Sequence, residues 1–235
     1  MTTRTSATTK YETSGFGSSA VLLRAPRPRS SLRRRWFVAV TLGELLGFVA
    51  PAVVGVLLVA DGPPAAAVVA LLLAAVIQGS VLGWFQAGVL RKELRGFHSR
   101  DWIVATIVGA LVAWTIGLVP MLYGEQITDW PVAIQAPVIA LGAIVMVFAL
   151  GVTQWFVLRN WTNRAALWIW ASALGWIGGL AAFAAVTTPL WQPGQHAVLS
   201  IAIGGLGGVA MAAAMAFVTG AFLVPILNPA HAVRR

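Results

Sequence analysis

The sequence predicts an all-α membrane protein, a polytopic bundle of six transmembrane helices built as three repeated helical hairpins. Of the 235 residues, 59% are hydrophobic and only 10% are charged, and the mean hydropathy is +0.84. Soluble domains are about a quarter charged, so lipid is the expected solvent. Six long apolar spans and a one-sided distribution of basic residues carry the rest of the prediction.

Each apolar span is long enough to cross the hydrocarbon core alone, which takes about 20 residues. None alternates at period two along its length, which favours helices over a membrane barrel. The six spans are predicted at about 36–59, 64–90, 102–123, 131–158, 165–187 and 196–227, within a transmembrane domain of residues 36–228.

The two ends of the chain are predicted to be tails. Residues 1–35 are rich in Ser, Thr and Arg and offer little apolar material to bury, so they are interpreted as a disordered basic cytoplasmic tail. An Arg-rich, acid-poor start is also typical of targeting segments, and that alternative stays open. Residues 229–235 are predicted to be a short basic C-terminal tail.

Basic and acidic residues separate between alternate connections. All sixteen Lys and Arg residues lie in the tails or in the second and fourth connections, whereas the other connections carry Asp61, Glu125 and Asp129. The positive-inside rule then predicts an inner (plasma) membrane protein with both termini cytoplasmic. Arg91 and Arg159 are interpreted as topology anchors whose stems reach the interface. Anionic lipids are expected near the basic tail, and nucleic acid is not an expected partner because the net charge of +9 flanks apolar spans.

An internal repeat is the most specific pattern in the chain. Trp36, Trp102 and Trp168 are 66 residues apart, and each opens an odd-numbered span, where the pattern predicts an aromatic belt near the inner boundary. The repeats are predicted at about 36–101, 102–167 and 168–228. Each odd span carries two small residues four apart, a spacing that lets helix backbones approach closely in lipid. These pairs are Gly43 and Gly47, Gly109 and Ala113, and Gly175 and Gly179.

The even spans carry a second repeated pattern near their inner ends. Residues 83–91 and 151–159 share the order G-x-x-Q-x-x-x-L-R, which places Gln86 and Gln154 at equivalent depth. In the third copy Gly220 replaces the glutamine, so this hairpin is predicted to lack the polar contact. The last span is rich in glycine and alanine, which predicts tight packing against several neighbours; composition bias alone is the alternative.

The second copy, Gly151-Val-Thr-Gln154-Trp155-Phe-Val-Leu158-Arg159, resembles the recurring Gly-x-x-Gln-Trp-x-x-Leu-Arg segments of a group of bacterial six-helix integral membrane proteins. The first copy matches more loosely, because Trp84 precedes Gln86 and Ala87 follows it. The resemblance covers roughly residues 36–227. It implies the six-helix fold but no substrate, cofactor or catalytic residue.

A candidate polar layer lies in the half of the bilayer nearest the basic connections. Glu44 is the one ionisable residue inside a span, and Gln78, Gln86 and Gln154 lie at neighbouring depths, with Thr41, Thr153 and Thr219 as further members. Buried carboxyl groups in membranes often mark proton or cation sites. The alternative is interhelical hydrogen bonding, with a protonated Glu44 donating to an amide oxygen.

No pattern in the sequence predicts catalysis, a metal site or a cofactor. The chain has no cysteine, its three histidines lie in or beside connections, and no lysine lies inside a span. Two functions stay open: transport of a small solute, proton or ion, favoured by Glu44, and a non-catalytic structural or accessory role beside other membrane subunits. A second copy of the chain is a further candidate partner.

Overall fold

The computed structural model describes residues 29–55, 57 and 63–228, and it confirms an all-helical six-helix membrane bundle. All six helices are long and apolar enough to cross a membrane. They are α1 (Arg29–Val54), α2 (Pro64–Glu93), α3 (Ser99–Thr128), α4 (Val132–Leu158), α5 (Leu167–Thr187) and α6 (Ala197–Ile226).

The helices form a closed ring. Each helix packs against the next one along the chain, and α6 packs against α1. Three antiparallel hairpins therefore stand side by side: α1 with α2, α3 with α4, and α5 with α6. We call the end where α2 joins α3 and α4 joins α5 the basic end, and the opposite end the acidic end.

The first helix begins earlier than the sequence predicted. Residues 29–35, assigned to the disordered tail, form the first two turns of α1. Leu32 is buried in the core cluster, and Arg35 donates a hydrogen bond to Glu93 of α2 at 2.6 Å, so both faces of this segment have partners that a free tail would lack. Residues 1–28 and 229–235 lie outside the described residues.

Small residues on the odd helices set the contacts within each hairpin. A Cβ at Gly43 would lie 3.1 Å from Phe85 Cβ of α2, and one at Gly109 would lie 2.8 Å from Leu150 Cα of α4. A Cβ at Gly179 would lie 2.7 Å from Met215 of α6. The predicted close approach of helix backbones is therefore confirmed at these positions.

Small residues on the even helices set the contacts between hairpins. A Cβ at Gly79 of α2 would lie 2.8 Å from Ile107 Cα of α3, and one at Gly151 of α4 would lie 3.0 Å from Ile169 Cα of α5. The glycine of each G-x-x-Q segment thus sits where one hairpin meets the next.

The last helix is packed unevenly, and the prediction of tight packing throughout is wrong. Gly207 lies against Phe183 and Thr187 of α5, but a Cβ added at Gly204, Gly205 or Gly208 would meet no atom within 4 Å among the described residues. The cause is that α6 approaches its neighbours along one stripe only near the acidic end, and its other small residues face outward there.

The two ends of the bundle differ in how well they are packed. The core cluster gathers the tryptophans and the last turns of α2, α4 and α6 at the basic end. Connections add to it, since Thr162 of the fourth connection donates to the Ile226 carbonyl at 2.9 Å. In contrast, residues 132–145 of α4 are exposed or half-buried on every face. The basic end is a closed core, and the acidic end is open to lipid.

Candidate functional site

Three tryptophan side chains meet at the centre of the basic end. Trp36, Trp102 and Trp168, which we call the tryptophan triad, open or lie near the start of α1, α3 and α5 and are 0%, 0% and 1% exposed. The Trp168 ring lies between the other two, with ring centroids 5.5 Å from Trp36 and 5.8 Å from Trp102. The predicted place in an aromatic belt is wrong for these three residues. Each indole N–H finds an acceptor inside the bundle, so none needs to face the interface.

Gln86 and Gln154 accept hydrogen bonds from two of the indoles and also bind one another. Trp102 Nε1 donates to Gln86 Oε1 and Trp168 Nε1 donates to Gln154 Oε1, both at 2.9 Å. Gln154 Nε2 then donates to Gln86 Oε1 at 2.8 Å and to Thr106 Oγ1 at 2.9 Å. We call these five side chains the amide network; it joins α2, α3, α4 and α5.

The third hairpin keeps a polar contact by another route, which corrects the prediction that it lacks one. Trp36 Nε1 donates to Thr219 Oγ1 at 2.9 Å, and Thr219 in turn donates to the Met215 carbonyl at 2.7 Å. The next residue is Gly220, where a Cβ would lie 3.1 Å from Trp36 Cδ1. Glycine replaces glutamine here because the indole of Trp36 lies directly against the α6 backbone.

Glu44 belongs to a second polar group, closer to the middle of the bilayer. Its carboxyl is within hydrogen-bonding range of the Gln78 side chain. Gln78 Oε1 also accepts from Trp114 Nε1 at 2.8 Å, so α1, α2 and α3 meet here. Gln78 lies two turns from Gln86, about 12 Å along α2. The structure therefore divides the predicted layer into two groups at different depths.

The threonines of the predicted layer have different roles. Thr219 takes part as expected, but Thr153 donates to carbonyls of its own helix at Ala149 and Leu150. The Thr41 hydroxyl is buried and has no hydrogen-bond partner within the described parts of the chain.

Two contributors were missed from the sequence: Thr106 and the tryptophans as donors. Thr106 follows Trp102 by four residues, so both side chains lie on one face of α3, and its hydroxyl donates to the Trp102 carbonyl at 2.8 Å. That spacing is the signal that could have identified Thr106. The repeated tryptophan could have been recognised as buried, since a polar residue recurs at the same depth on the neighbouring helix.

The predicted anchors Arg91 and Arg159 are exposed at the ends of α2 and α4. The Arg159 guanidinium carbon lies 5.1 Å from the ring centroid of Trp155 and 4.9 Å from that of Phe156, both on its own helix. These positions are the ones that a snorkelling side chain at a helix end adopts.

The chemistry available at the triad is that of neutral hydrogen bonding. The amide network contains indoles, amides and one hydroxyl, and the bonds above satisfy both donors of Gln154 and its acceptor within the bundle. A group of this kind holds helices together in lipid. In the parts of the chain that the structure describes, no group of three or more His, Asp and Glu side chains could hold a metal ion.

These observations define a multi-pass membrane protein, three hairpins joined by a buried tryptophan–amide core. No protein-family model, curated protein or solved structure matches the chain.

Proposed function

We propose that this chain is a non-catalytic structural or accessory membrane protein that packs beside other membrane subunits. One observation carries the proposal: the tryptophan triad and its hydrogen bonds close the basic end of the bundle and join all three hairpins. A protein that moves a solute needs a path or a moving gate at this depth, and here the axis is filled by three indole rings.

The hydrogen bonds at the triad are placed at the junctions between hairpins. Trp102 binds Gln86 across the α2–α3 junction, and Trp168 binds Gln154 across the α4–α5 junction. Trp36 binds Thr219 across the α6–α1 junction. Movement of one hairpin against another would break a buried polar contact, which is costly in hydrocarbon. This arrangement favours a rigid body over an alternating-access machine.

The acidic end supplies surface for a partner. Residues 132–145 of α4 have no fully buried member and present large apolar side chains, among them Ile139 at 55% and Leu141 at 63% exposed. Lipid alone satisfies such a surface, and so does a helix of another subunit. The proposal commits to the second, with a different membrane protein as the partner and a second copy of this chain as an outcome of the test.

Site-specific photocrosslinking in membranes tests this proposal. A photoreactive amino acid at Ile139 is expected to give one discrete protein adduct of defined mass. Leu73 of α2 is the matched control, since it is 62% exposed on a helix packed along most of its length and is expected to give only lipid adducts. Identical lipid adducts at both positions would contradict the proposal.

Proton or cation transport is the second candidate function, and Glu44 favours it. The carboxyl lies within a span, against Gln78 of the neighbouring helix, in the setting where intramembrane acids often bind protons. Proteoliposomes with a pH-sensitive dye separate the two candidates. A flux that depends on the protein and is lost in Glu44→Gln, but not in Gln135→Leu, would replace the accessory proposal by transport. No flux above protein-free liposomes is the result that the accessory role predicts.

Orientation and membership in the bacterial group with Gly-x-x-Gln-Trp-x-x-Leu-Arg segments are part of the same proposal. The basic connections support placing both termini in the cytoplasm and the bundle in the plasma membrane. Anionic lipids beside the basic tail are expected on the same grounds.

A further inference from the structure

A groove runs down the lipid-facing side of the second hairpin at the basic end. It has a volume of about 380 Å³ and lies between α3 and α4. Its walls are apolar: Val104 and Val108 of α3 are 50% and 44% exposed, and Phe156 of α4 is 51% exposed. The amide network lies on the opposite, buried face of these helices, so the groove is separate from the triad.

The groove has a closed end inside the bilayer. A Cβ at Gly109 would lie 2.6 Å from Thr153 Oγ1 and 2.8 Å from Leu150 Cα, so the two helices touch at this level. Arg100, at the basic end, lies eight residues before Val108, which is about 12 Å along α3. One leaflet of the hydrocarbon core is about 15 Å thick, so the groove is deep enough for most of one acyl chain.

Charged side chains stand at the mouth of the groove. Arg100 and Asp101 line it directly. Arg159 lies at its edge, with the guanidinium carbon 4.9 Å from the ring centroid of Phe156, a wall residue. Two positive groups against one carboxylate leave a positive mouth at headgroup depth, next to an apolar channel. Arginine binds phosphate oxygens in a bidentate geometry, which makes phosphate the complementary group.

We propose that this groove is a binding site for one anionic phospholipid, with its phosphate between Arg100 and Arg159 and one acyl chain along Val104, Val108 and Phe156. The lipid belongs to the leaflet that meets the basic end. The site is independent of the accessory role, since any multi-pass protein with this groove would bind the lipid.

The third hairpin lacks this combination. The positions 66 and 68 residues on from Arg100, Val104 and Phe156 are Ala166, Trp170 and Val224, and Pro225 stands in place of Arg159. The third hairpin therefore has no arginine at the mouth and a large ring where the acyl chain would lie. It supplies matched control positions for the second hairpin.

Photolabelling tests the site with the purified full-length chain in nanodiscs. The probe is a phosphatidylglycerol that carries a diazirine on one acyl chain, compared with the same probe on phosphatidylcholine, and the labelled peptides are mapped by mass spectrometry. Labelling by phosphatidylglycerol is expected to concentrate on 104–108 and 153–157. Arg100→Gln with Arg159→Gln is expected to lower it by roughly fivefold for each arginine removed. The control of equal charge, Arg95→Gln with Arg164→Gln, is expected to leave it unchanged.

A second pair of variants tests the acyl channel without changing charge. Val108→Trp fills the groove and is expected to abolish labelling of 153–157, whereas Leu174→Trp, at the position 66 residues on, is expected to leave it intact. The proposal is overturned by label spread evenly over all lipid-facing helices, by equal labelling with phosphatidylcholine, or by equal losses in the variants and their controls.

Discussion

Gln154 donates its side-chain amide to the side-chain oxygen of Gln86, 2.8 Å away, and this bond connects α4 to α2 across the bundle. The other long-range bonds of the triad join helices that are adjacent in the ring, but this one links two even helices from different hairpins. It explains why the same glutamine recurs 68 residues apart: the two amides bind each other and one indole each.

Replacing Gln154 by leucine is expected to lower the stability of the bundle by about 2–3 kcal/mol, because it leaves the Trp168 N–H without its acceptor and Gln86 and Thr106 without a donor. Thermal unfolding in detergent measures the effect. Gln135→Leu is the control, since Gln135 lies in the open half of the same helix. Equal shifts in melting temperature for the two variants would show that the network contributes nothing.

The bond between Trp36 and Thr219 closes the ring between α6 and α1, so Thr219→Val is expected to cost about 1 kcal/mol. Thr115→Val is a close control. Both hydroxyls donate to a carbonyl four residues earlier at 2.7 Å, but Thr115 is exposed, whereas Thr219 also accepts from an indole. Thr219→Ser should restore the stability, since it keeps the oxygen. A melting temperature for Thr219→Val at or above that of Thr115→Val would contradict the assignment.

Gly109→Ala is expected to destabilise the second hairpin by about 1–3 kcal/mol, the usual cost of overpacking. The added methyl would lie 2.6 Å from Thr153 Oγ1 and 2.8 Å from the Leu150 backbone, which cannot move without separating the helices. Gly205→Ala is expected to be neutral or stabilising, because its methyl would enter open space and alanine favours helix by about 1 kcal/mol. The same loss in both variants would mean that helix propensity, not close packing, sets the response.

Single cysteines test the orientation, and the absence of native cysteine makes the experiment clean. Asp129→Cys in the connection between α3 and α4 is expected to react with a membrane-impermeant maleimide added outside intact cells. Arg164→Cys in the connection between α4 and α5 is expected to react only after the membrane is opened. Reaction of Asp129→Cys from the cytoplasmic side would reverse the assigned topology.

The sequence by itself determined the number of helices and their pairing into hairpins. Residues that are apolar over 20 or more positions have no stable alternative to helix in lipid, because every backbone amide must bond within its own segment. The small residues four apart also identified real close contacts, at Gly43, Gly109 and Gly179. These features depend only on local composition and on the spacing of residues along a helix.

Only the tertiary structure decided which way the polar and aromatic side chains face. In lipid both the buried and the exposed faces of a helix are apolar, so periodicity does not distinguish them. For that reason Trp36, Trp102 and Trp168 were placed at the interface although they form the core, and Glu44 was grouped with Gln86 although it lies against Gln78. A hydrogen bond between helices depends on the rotation of each about its axis, and that rotation is fixed only when all six pack together.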